Sequence, residues 1–177
     1  MPHRLWIERI ADVMTRPGGA IFLVACLIVV PGAPGQSARP SVDVRSGAAG
    51  ITLPDGQRFV VPKEKGQVGI SQAQVAADGT AGWFVEYNVD TVSFPISGML
   101  VLWRAGKVIQ RFQSEQVFYS WAFYAGGKQV AYHDGPLHGE TASHCELHDV
   151  TTGRVIDKWD GDLDADSKPV WTAGLTH

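Results

Sequence analysis

Residues 100–112, LVLWRAGKVIQRF, and their near copy at residues 147–159, LHDVTTGRVIDKW, decide the fold of this chain. A shift of 47 residues superposes the two segments and also matches a glycine outside them. The matched pairs are Gly79 with Gly126, Leu100 with Leu147, Gly106 with Gly153, Lys107 with Arg154, Val108 with Val155, Ile109 with Ile156, Arg111 with Lys158, and Phe112 with Trp159. Matches at one fixed period indicate an internal structural repeat.

Each copy has the pattern of four short β-strands. Runs rich in valine, leucine and aromatic residues alternate with glycine-containing turns, which is typical of an all-β protein. The predicted strands are residues 72–76, 82–88, 98–103 and 107–112 in the first copy, and 118–123, 128–133, 143–149 and 154–159 in the second. The turns between them are Asp78-Gly79, Ala105-Gly106, Gly126-Gly127 and Thr152-Gly153, where glycine permits a positive φ.

The pattern predicts two four-stranded antiparallel meanders that bury their apolar faces against each other. A closed ring of such units takes at least about four of them, and this chain has too few residues. We therefore expect an open array of two to three sheets, whose exposed ends pair with another copy of the chain or with another protein. Partial units are predicted at residues 51–61, around the turn Pro54-Asp55-Gly56, and at residues 169–171. The aromatic residues predicted to lie in the core are Trp83, Trp103, Trp121, Trp159 and Trp171.

A family resemblance follows from the same residues. The aspartate-glycine turn after the first strand and the pattern L-x-D-x-x-T-G-R-V-I at residues 147–156 resemble the blades of WD40-like and TolB-like bacterial β-propellers. The resemblance covers about residues 72–160 and implies that Asp149 and Thr152-Gly153 form a structural turn. The first copy departs from this pattern, because it has Trp103-Arg104-Ala105-Gly106 there and no aspartate.

The first 35 residues have the layout of a secretory signal peptide. Arg4, Arg9 and Arg16 precede an apolar run at residues 20–30, and small residues and prolines follow it. Eleven residues span about 16 Å as a helix, roughly half of the hydrocarbon core of a membrane. We expect cleavage and export to the periplasm or beyond, with no further membrane association. As an alternative, the segment ending at Cys26 resembles a lipobox, which would make the product a lipoprotein.

The predicted domain boundaries follow from these patterns: residues 1–35 are the signal peptide, 36–69 a linker and partial hairpin, 70–160 the two propeller-like blades, and 161–177 a partial strand and tail. Without the first 35 residues, Cys145 is the only thiol, so no intrachain disulfide can form. The remaining 12 basic and 16 acidic residues give a net charge of −4. That balance argues against nucleic acid or anionic lipid as the partner.

The histidine-rich stretch at residues 133–149, HDGPLHGETASHCELHD, is the candidate for chemistry. The two-residue period of a strand places His144, Glu146 and His148 on one face, with Cys145 and Leu147 on the other. Together with His138 from the preceding loop, the first three suggest a zinc site, and hence a metal-binding protein or metal-dependent hydrolase as an alternative function. Against it, side chains two apart on a strand lie about 7 Å from each other. No residue is predicted to be catalytic.

Long loops are the other candidate for function. The loop at residues 134–142 and its counterpart at residues 89–97 occupy the same strand connection in the two copies, and long loops on rigid sheets often carry recognition. The residues predicted to bind a partner are His133, Asp134, His138 and Glu140. The sequence thus favours an exported, non-catalytic binding or scaffold module without a cofactor, and a protein or peptide is the expected partner.

Overall fold

A computed structural model describes residues 40–45, 47–138 and 143–176. The chain divides into two compact units, residues 1–35 and 36–177, and the first lies outside the described residues. The predictions of a signal peptide and of an acylated Cys26 fall in that part, and Glu140 of the predicted binding loop is also outside the described residues. Among the described residues, no helix has the length and apolar character needed to cross a membrane.

The described residues form three antiparallel β-sheets. Sheet 1 has the order β1-β2-β3, sheet 2 the order β4-β5-β6-β7, and sheet 3 the order β8-β9-β10-β11. The strands are β1 Ser41–Arg45, β2 Ala48–Thr52, β3 Arg58–Val60, β4 Gln67–Val75, β5 Ala81–Tyr87, β6 Ile96–Arg104, β7 Lys107–Gln113, β8 Val117–Tyr124, β9 Gln129–Gly135, β10 Ser143–Asp149 and β11 Val155–Gly161. Two short 3₁₀ turns cover Ala125–Gly127 and Val170–Thr172. The all-β class and the two four-stranded meanders are confirmed.

Two strands differ most from the predictions. Strand β1 was not predicted, although it pairs with β2 along its whole length. Strand β4 begins at Gln67 rather than at residue 72, and a bulge interrupts its pairing with β5 between Ser71 and Gln74. Because Gln72 has a φ of 47° in this bulge, the regular alternation of apolar and polar residues is lost there, which hid the start of the strand.

The three sheets bury apolar side chains in two successive layers. Between sheets 1 and 2 the buried residues include Ile51, Trp83, Val101 and Trp103, and Phe59 of β3 packs against them. Between sheets 2 and 3 they include Phe84, Leu100, Leu102, Phe112, Phe118, Trp121, Val130 and Tyr132. Strand β5 is buried on both faces from Ala81 to Val85, as expected for a strand covered on both sides. The sheets therefore form an open stack.

Strands β4 and β8 are the first strands of sheets 2 and 3, and each lies at an edge of its sheet. They are joined by hydrogen bonds whose partners are separated by the 47-residue period of the repeat. The amide of Gln72 donates to the carbonyl of Tyr119 at 2.7 Å, and the amide of Gln74 donates to that of Trp121 at 2.8 Å. In each pair the partners are 47 residues apart. In return, the indole N–H of Trp121 donates to the carbonyl of Gln72 at 2.9 Å. Residues that correspond under the 47-residue shift therefore lie opposite each other on β4 of sheet 2 and β8 of sheet 3.

The outer hairpins of the two units have different turns. Strands β6 and β7 are joined by Ala105 and Gly106, which have φ values of 50° and 89°. In the β10–β11 turn, Asp149 Oδ1 accepts hydrogen bonds from the backbone N–H groups of Thr151 and Thr152, and from the Thr152 hydroxyl. The β10–β11 turn is the longer of the two, and it shifts the pairing of β11 by two residues relative to that of β7. Leu100 pairs with Phe112, whereas Leu147 pairs with Asp157 and not with Trp159, the counterpart of Phe112. A displacement of two residues keeps each side chain on its original face.

The C-terminal segment covers the outer face of sheet 3. Leu163 and Leu175 are buried against Ala131, Cys145 and Leu147. The Thr176 backbone also exchanges hydrogen bonds with the Ser120 hydroxyl, at 2.7 and 2.9 Å. The prediction of a strand at residues 169–171 is wrong, since this segment belongs to a 3₁₀ turn that lets the tail fold back on the sheet. The tail therefore covers the face of sheet 3 that points away from sheet 2.

The close approach of sheets 2 and 3 gives a first testable prediction. A Cβ atom on Gly82 would lie 2.6 Å from Trp121 Cη2 and 2.8 Å from Leu102 Cδ2. We expect Gly82→Ala to lower the free energy of unfolding by about 1 to 3 kcal/mol, because β5 is paired on both sides and cannot move away. Chemical denaturation measures this change.

Gly69→Ala is the matched control, because its added methyl group would meet only the carboxylate end of the flexible Glu86 side chain. It should change the free energy of unfolding by about 0.5 kcal/mol or less. Equal effects of the two substitutions would show that Gly82 is not a close-packing position.

The tail gives a second prediction, read out through the buried thiol of Cys145. In a Cys26→Ser background, Leu175→Ala should raise the rate at which Cys145 reacts with a thiol reagent about tenfold or more, because the tail then opens more often. Val170→Ala on the same tail should leave the rate unchanged, since Val170 is 89% exposed. Unchanged labelling in the Leu175→Ala variant would mean that the tail does not protect this face.

Candidate functional site

The Glu146 carboxylate is the centre of a polar network on one face of β10. His144 and His148 lie on the same face, as the two-residue period predicts. Glu146 Oε2 accepts hydrogen bonds from the Tyr132 hydroxyl and from His148 Nε2, the latter at 2.7 Å. Glu146 Oε1 contacts Lys158 Nζ, and His144 Nε2 lies 3.4 Å from it. The Glu146 side chain is only 10% exposed.

This carboxylate is saturated with donors. An ionised carboxylate has about four lone-pair sites, and four donor groups from β9, β10 and β11 face its two oxygens. Burial alone would raise the pKa of Glu146, but the hydrogen bonds from Lys158, Tyr132 and His148 outweigh it and lower the pKa to about 2. Glu146 is thus a negative charge held in place by polar groups from three strands.

His148 ties this network to sheet 2. Its Nδ1 lies 3.0 Å from the carbonyl oxygen of Gly153, which can only accept, so Nδ1 is the donor in this contact. The imidazole packs 4.6 Å from the ring of Phe112 on β7 and 5.2 Å from that of Tyr132. Burial, followed by the hydrogen bond to Glu146, raises the pKa of Tyr132 well above its ordinary value. The network is therefore part of the interface between sheets 2 and 3.

His144 is the more accessible histidine of the network. Its side chain is 32% exposed, and its Nδ1 lies 2.5 Å from Asp160 Oδ1. Burial opposes the charged imidazole, but the hydrogen bond to Asp160, the negative charge of Asp134 and the hydrogen bond to Glu146 outweigh it and raise the pKa of His144. His144 thus forms the solvent-facing edge of the network.

The predicted zinc ligands do not converge. Within residues 40–45, 47–138 and 143–176, no group of three or more His, Cys, Asp or Glu side chains is arranged to hold a metal ion. Both nitrogens of His148 are used in contacts with Glu146 and Gly153. His138 lies exposed on the loop after β9. Zinc binding stays a prediction that the described geometry does not support.

Two of the predicted binding residues are buried. His133 and Asp134 are each 5% exposed, because β9 continues to Gly135, two residues beyond its predicted end. His133 stacks on Tyr119 with ring centroids 5.1 Å apart, and Asp134 accepts a hydrogen bond from the Ser114 hydroxyl. His138 is thus the one predicted binding residue that the structure describes on the surface.

Cys145 is also buried, on the face covered by the tail. Burial, with smaller effects from the charges of Asp134 and Asp160, raises the pKa of its thiol to about 12. A buried thiol with so high a pKa is a poor nucleophile. The structure places Cys145 beside Leu147 in the core, as the sequence predicts.

Sequence reasoning missed an open groove between the outer hairpins of sheets 2 and 3. It has a volume of about 420 Å³ and is lined by Arg104, Ala105, Lys107, Val108, Ile109 and Thr151. We call it the hairpin groove. The amide of Gln110 donates to the carbonyl of Thr151 at 3.0 Å and holds the two hairpins together. The signal for this groove was the repeat itself, because the turns beside it correspond under the 47-residue shift.

The floor of the hairpin groove is apolar and its wall is basic. Val108 and Ile109 are partly buried against the two core layers. Ile109 has no direct partner on β6, because the pairing shifts between Leu102 and Trp103. Such a bulge redirects a side chain. The wall consists of Arg104 and Lys107, so the groove offers apolar contact beside positive charge.

Comparisons with protein-family models, with curated proteins and with solved structures find no match to this chain. The resemblance to WD40-like and TolB-like propellers therefore stays a prediction from the repeat.

The Glu146 network gives a third prediction. Because the folded pKa of about 2 lies below the ordinary value of 4.5, the ionised carboxylate stabilises the fold above pH 4.5, and this contribution is lost as the pH falls toward 2. At pH 7, Glu146→Gln should lower the free energy of unfolding by about 2 to 3 kcal/mol. The free energy of unfolding of this variant should also fall less steeply than that of the unmodified protein as the pH is lowered.

Urea denaturation at several pH values between 2 and 7 measures both effects. Glu115→Gln is the control, because Glu115 is exposed in the β7–β8 loop. Parallel stability curves for Glu146→Gln and the unmodified protein would contradict a stabilising role for the Glu146 charge.

Proposed function

We propose that this chain is an exported, non-catalytic module that binds an extended segment of another protein in the hairpin groove. The observation that carries this proposal is the groove itself, an apolar floor with an open side between two packed β-sheets. The two sheets act as propeller-like blades, and their outer hairpins supply the binding surface.

The dimensions of the hairpin groove suit a peptide. Its volume of about 420 Å³ falls within the range of about 300 to 1,000 Å³ typical of ligand sites. Small-molecule sites usually enclose most of their ligand, whereas a groove with an open side lets a longer chain enter and leave. An extended peptide segment is therefore a better fit than a compact metabolite.

The hairpin groove is also held in place on both sides. The β6–β7 turn continues two strands paired along their length, and three hydrogen bonds to Asp149 Oδ1 fix the β10–β11 turn. A binding surface that is formed before the ligand arrives loses little conformational entropy on binding. This favours recognition by the groove over recognition by the loop at residues 134–142.

Two further observations support a binding role outside the cytoplasm. The pattern of the first 35 residues favours export, and the net charge of −4 for the remainder disfavours nucleic acid as the partner. In the histidine-rich stretch, which is the candidate for chemistry in the sequence, Glu146 contacts four polar groups of sheet 3. That arrangement supports a structural role for the histidine-rich stretch.

The fourth prediction tests the groove directly. A displayed library of random linear peptides, selected on the purified protein, should yield peptides that bind with dissociation constants of about 10 to 100 μM. Thr151→Trp should weaken that binding about tenfold or more, because the exposed Thr151 side chain lines the groove and an indole there fills it. Fluorescence polarisation with synthetic copies of the selected peptides measures the affinities.

Arg154→Trp is the matched control. It adds the same bulk to an exposed position near the same turn, but Arg154 does not line the hairpin groove. The proposal fails if no peptide is enriched over the support alone, or if Thr151→Trp and Arg154→Trp bind the selected peptides equally well.

A further inference from the structure

The charge of the hairpin groove is opposite to that of the chain as a whole. Two of its six lining residues, Arg104 and Lys107, are cationic and none is acidic, although the chain has a formal net charge of −3. A local charge that departs from the overall balance favours ligands of the opposite sign.

The two cations differ in how firmly they are held. Arg104 Nη1 lies 3.6 Å from Asp78 Oδ2, and its Nε forms no hydrogen bond within the described residues. This Nε is buried, and the guanidinium is also close enough to Asp149 to contribute, after the hydrogen bonds from Thr152 and Thr151, to the lowered pKa of that carboxyl. Lys107 is exposed and forms no ion pair with any described residue. Lys107 can therefore bind an incoming carboxylate without first breaking an ion pair with a described residue.

The apolar residues lie next to these donors in the chain. Val108 and Ile109 follow Lys107 directly, so a ligand that contacts them brings its neighbouring residues beside a positive charge. Because successive side chains of an extended peptide point to opposite sides, an aliphatic residue and an acidic residue two positions apart face the groove together.

The second unit provides a comparison within the same molecule. Under the 47-residue shift, Lys107-Val108-Ile109 corresponds to Arg154-Val155-Ile156. Val155 and Ile156 are 44% and 48% exposed, and they do not line the hairpin groove. The same basic and aliphatic sequence thus faces solvent in the second unit, whereas in the first unit it is backed by Thr151 of the next hairpin.

We infer that the hairpin groove selects acidic peptide segments, in which an aliphatic side chain packs on Val108 and Ile109 while a carboxylate two residues away binds Lys107, with Arg104 close by. This inference rests on the proposed function and names its partner class. A nucleic acid is a poorer fit than a peptide, because the net negative charge of the chain repels a polyanion, whereas a single carboxylate needs only the local donors.

The fifth prediction uses three fluorescein-labelled octapeptides with the pattern Val-Val-Xaa-Xaa repeated twice, which places valine and Xaa two residues apart on the same side. They combine valine with aspartate, with asparagine or with lysine, so that only the charge of the polar positions changes in sign or magnitude. The aspartate peptide should bind about fivefold more tightly than the asparagine peptide at low salt, and the lysine peptide should bind more weakly than both. Because the cations are exposed to solvent, 0.5 M NaCl should remove most of the preference.

Lys107→Gln should reduce the aspartate-over-asparagine preference to about twofold or less. Its matched control is Arg154→Gln, at the corresponding position of the second unit, which should leave the preference unchanged. Thermal denaturation of both variants checks that the fold is retained. A loss of preference in both variants alike would overturn the assignment of the charge to the groove.

The remaining outcomes separate this inference from the proposed function. If library-selected peptides bind in a manner sensitive to Thr151→Trp but the aspartate and asparagine peptides bind equally, the acidic preference is wrong and peptide binding stands. Tighter binding of an eight-nucleotide oligothymidine than of the aspartate peptide would also overturn the preference. If neither the octapeptides nor any library-selected peptide binds, the proposed function fails and the inference fails with it.

Discussion

The packing of Trp121 against sheet 2 is the interaction on which the rest of this structure depends. Its ring lies against Gly82 and near Phe84, with ring centroids 6.3 Å apart, while its indole N–H donates to the carbonyl of Gln72. A large aromatic ring with a satisfied polar edge contributes much buried area and a fixed orientation. It sets the distance and alignment of sheets 2 and 3, and these in turn bring Phe112 onto His148 and the two outer hairpins side by side.

The polar groups inside this interface are arranged to be satisfied rather than reactive. Removing one partner from a buried ionic network leaves an unpaired charge, which costs far more than the network contributes when complete. Tyr132 and His148 reach the Glu146 carboxylate from inside the sheet pair, and Lys158 reaches it from the exposed β11. Because the donors come from three different strands, the network is complete only when these strands are paired in their native register.

Much of the fold could be predicted from the sequence, since a repeat with glycines at fixed positions constrains the strands and the turns together. The register of β11 could not be predicted, because the effect of Asp149 on the turn depends on hydrogen bonds that form only after the hairpin closes. The burial of His133 could not be predicted, because the tail that covers it is distant in sequence. The hairpin groove was missed because neither hairpin contains it alone, although the repeat supplied both of its sides.

The covered face of sheet 3 also determines how modular this chain is. Where sheet 2 presents Phe84 toward its neighbour, the matched position of sheet 3 is Ala131, and this smaller side chain leaves room for the thin layer formed by Leu163 and Leu175. The second unit is therefore specialised as an end piece and is not interchangeable with the first. Another copy of the first unit placed on this face would not fit its smaller side chains. The volumes of a few side chains therefore restrict how many units can be stacked.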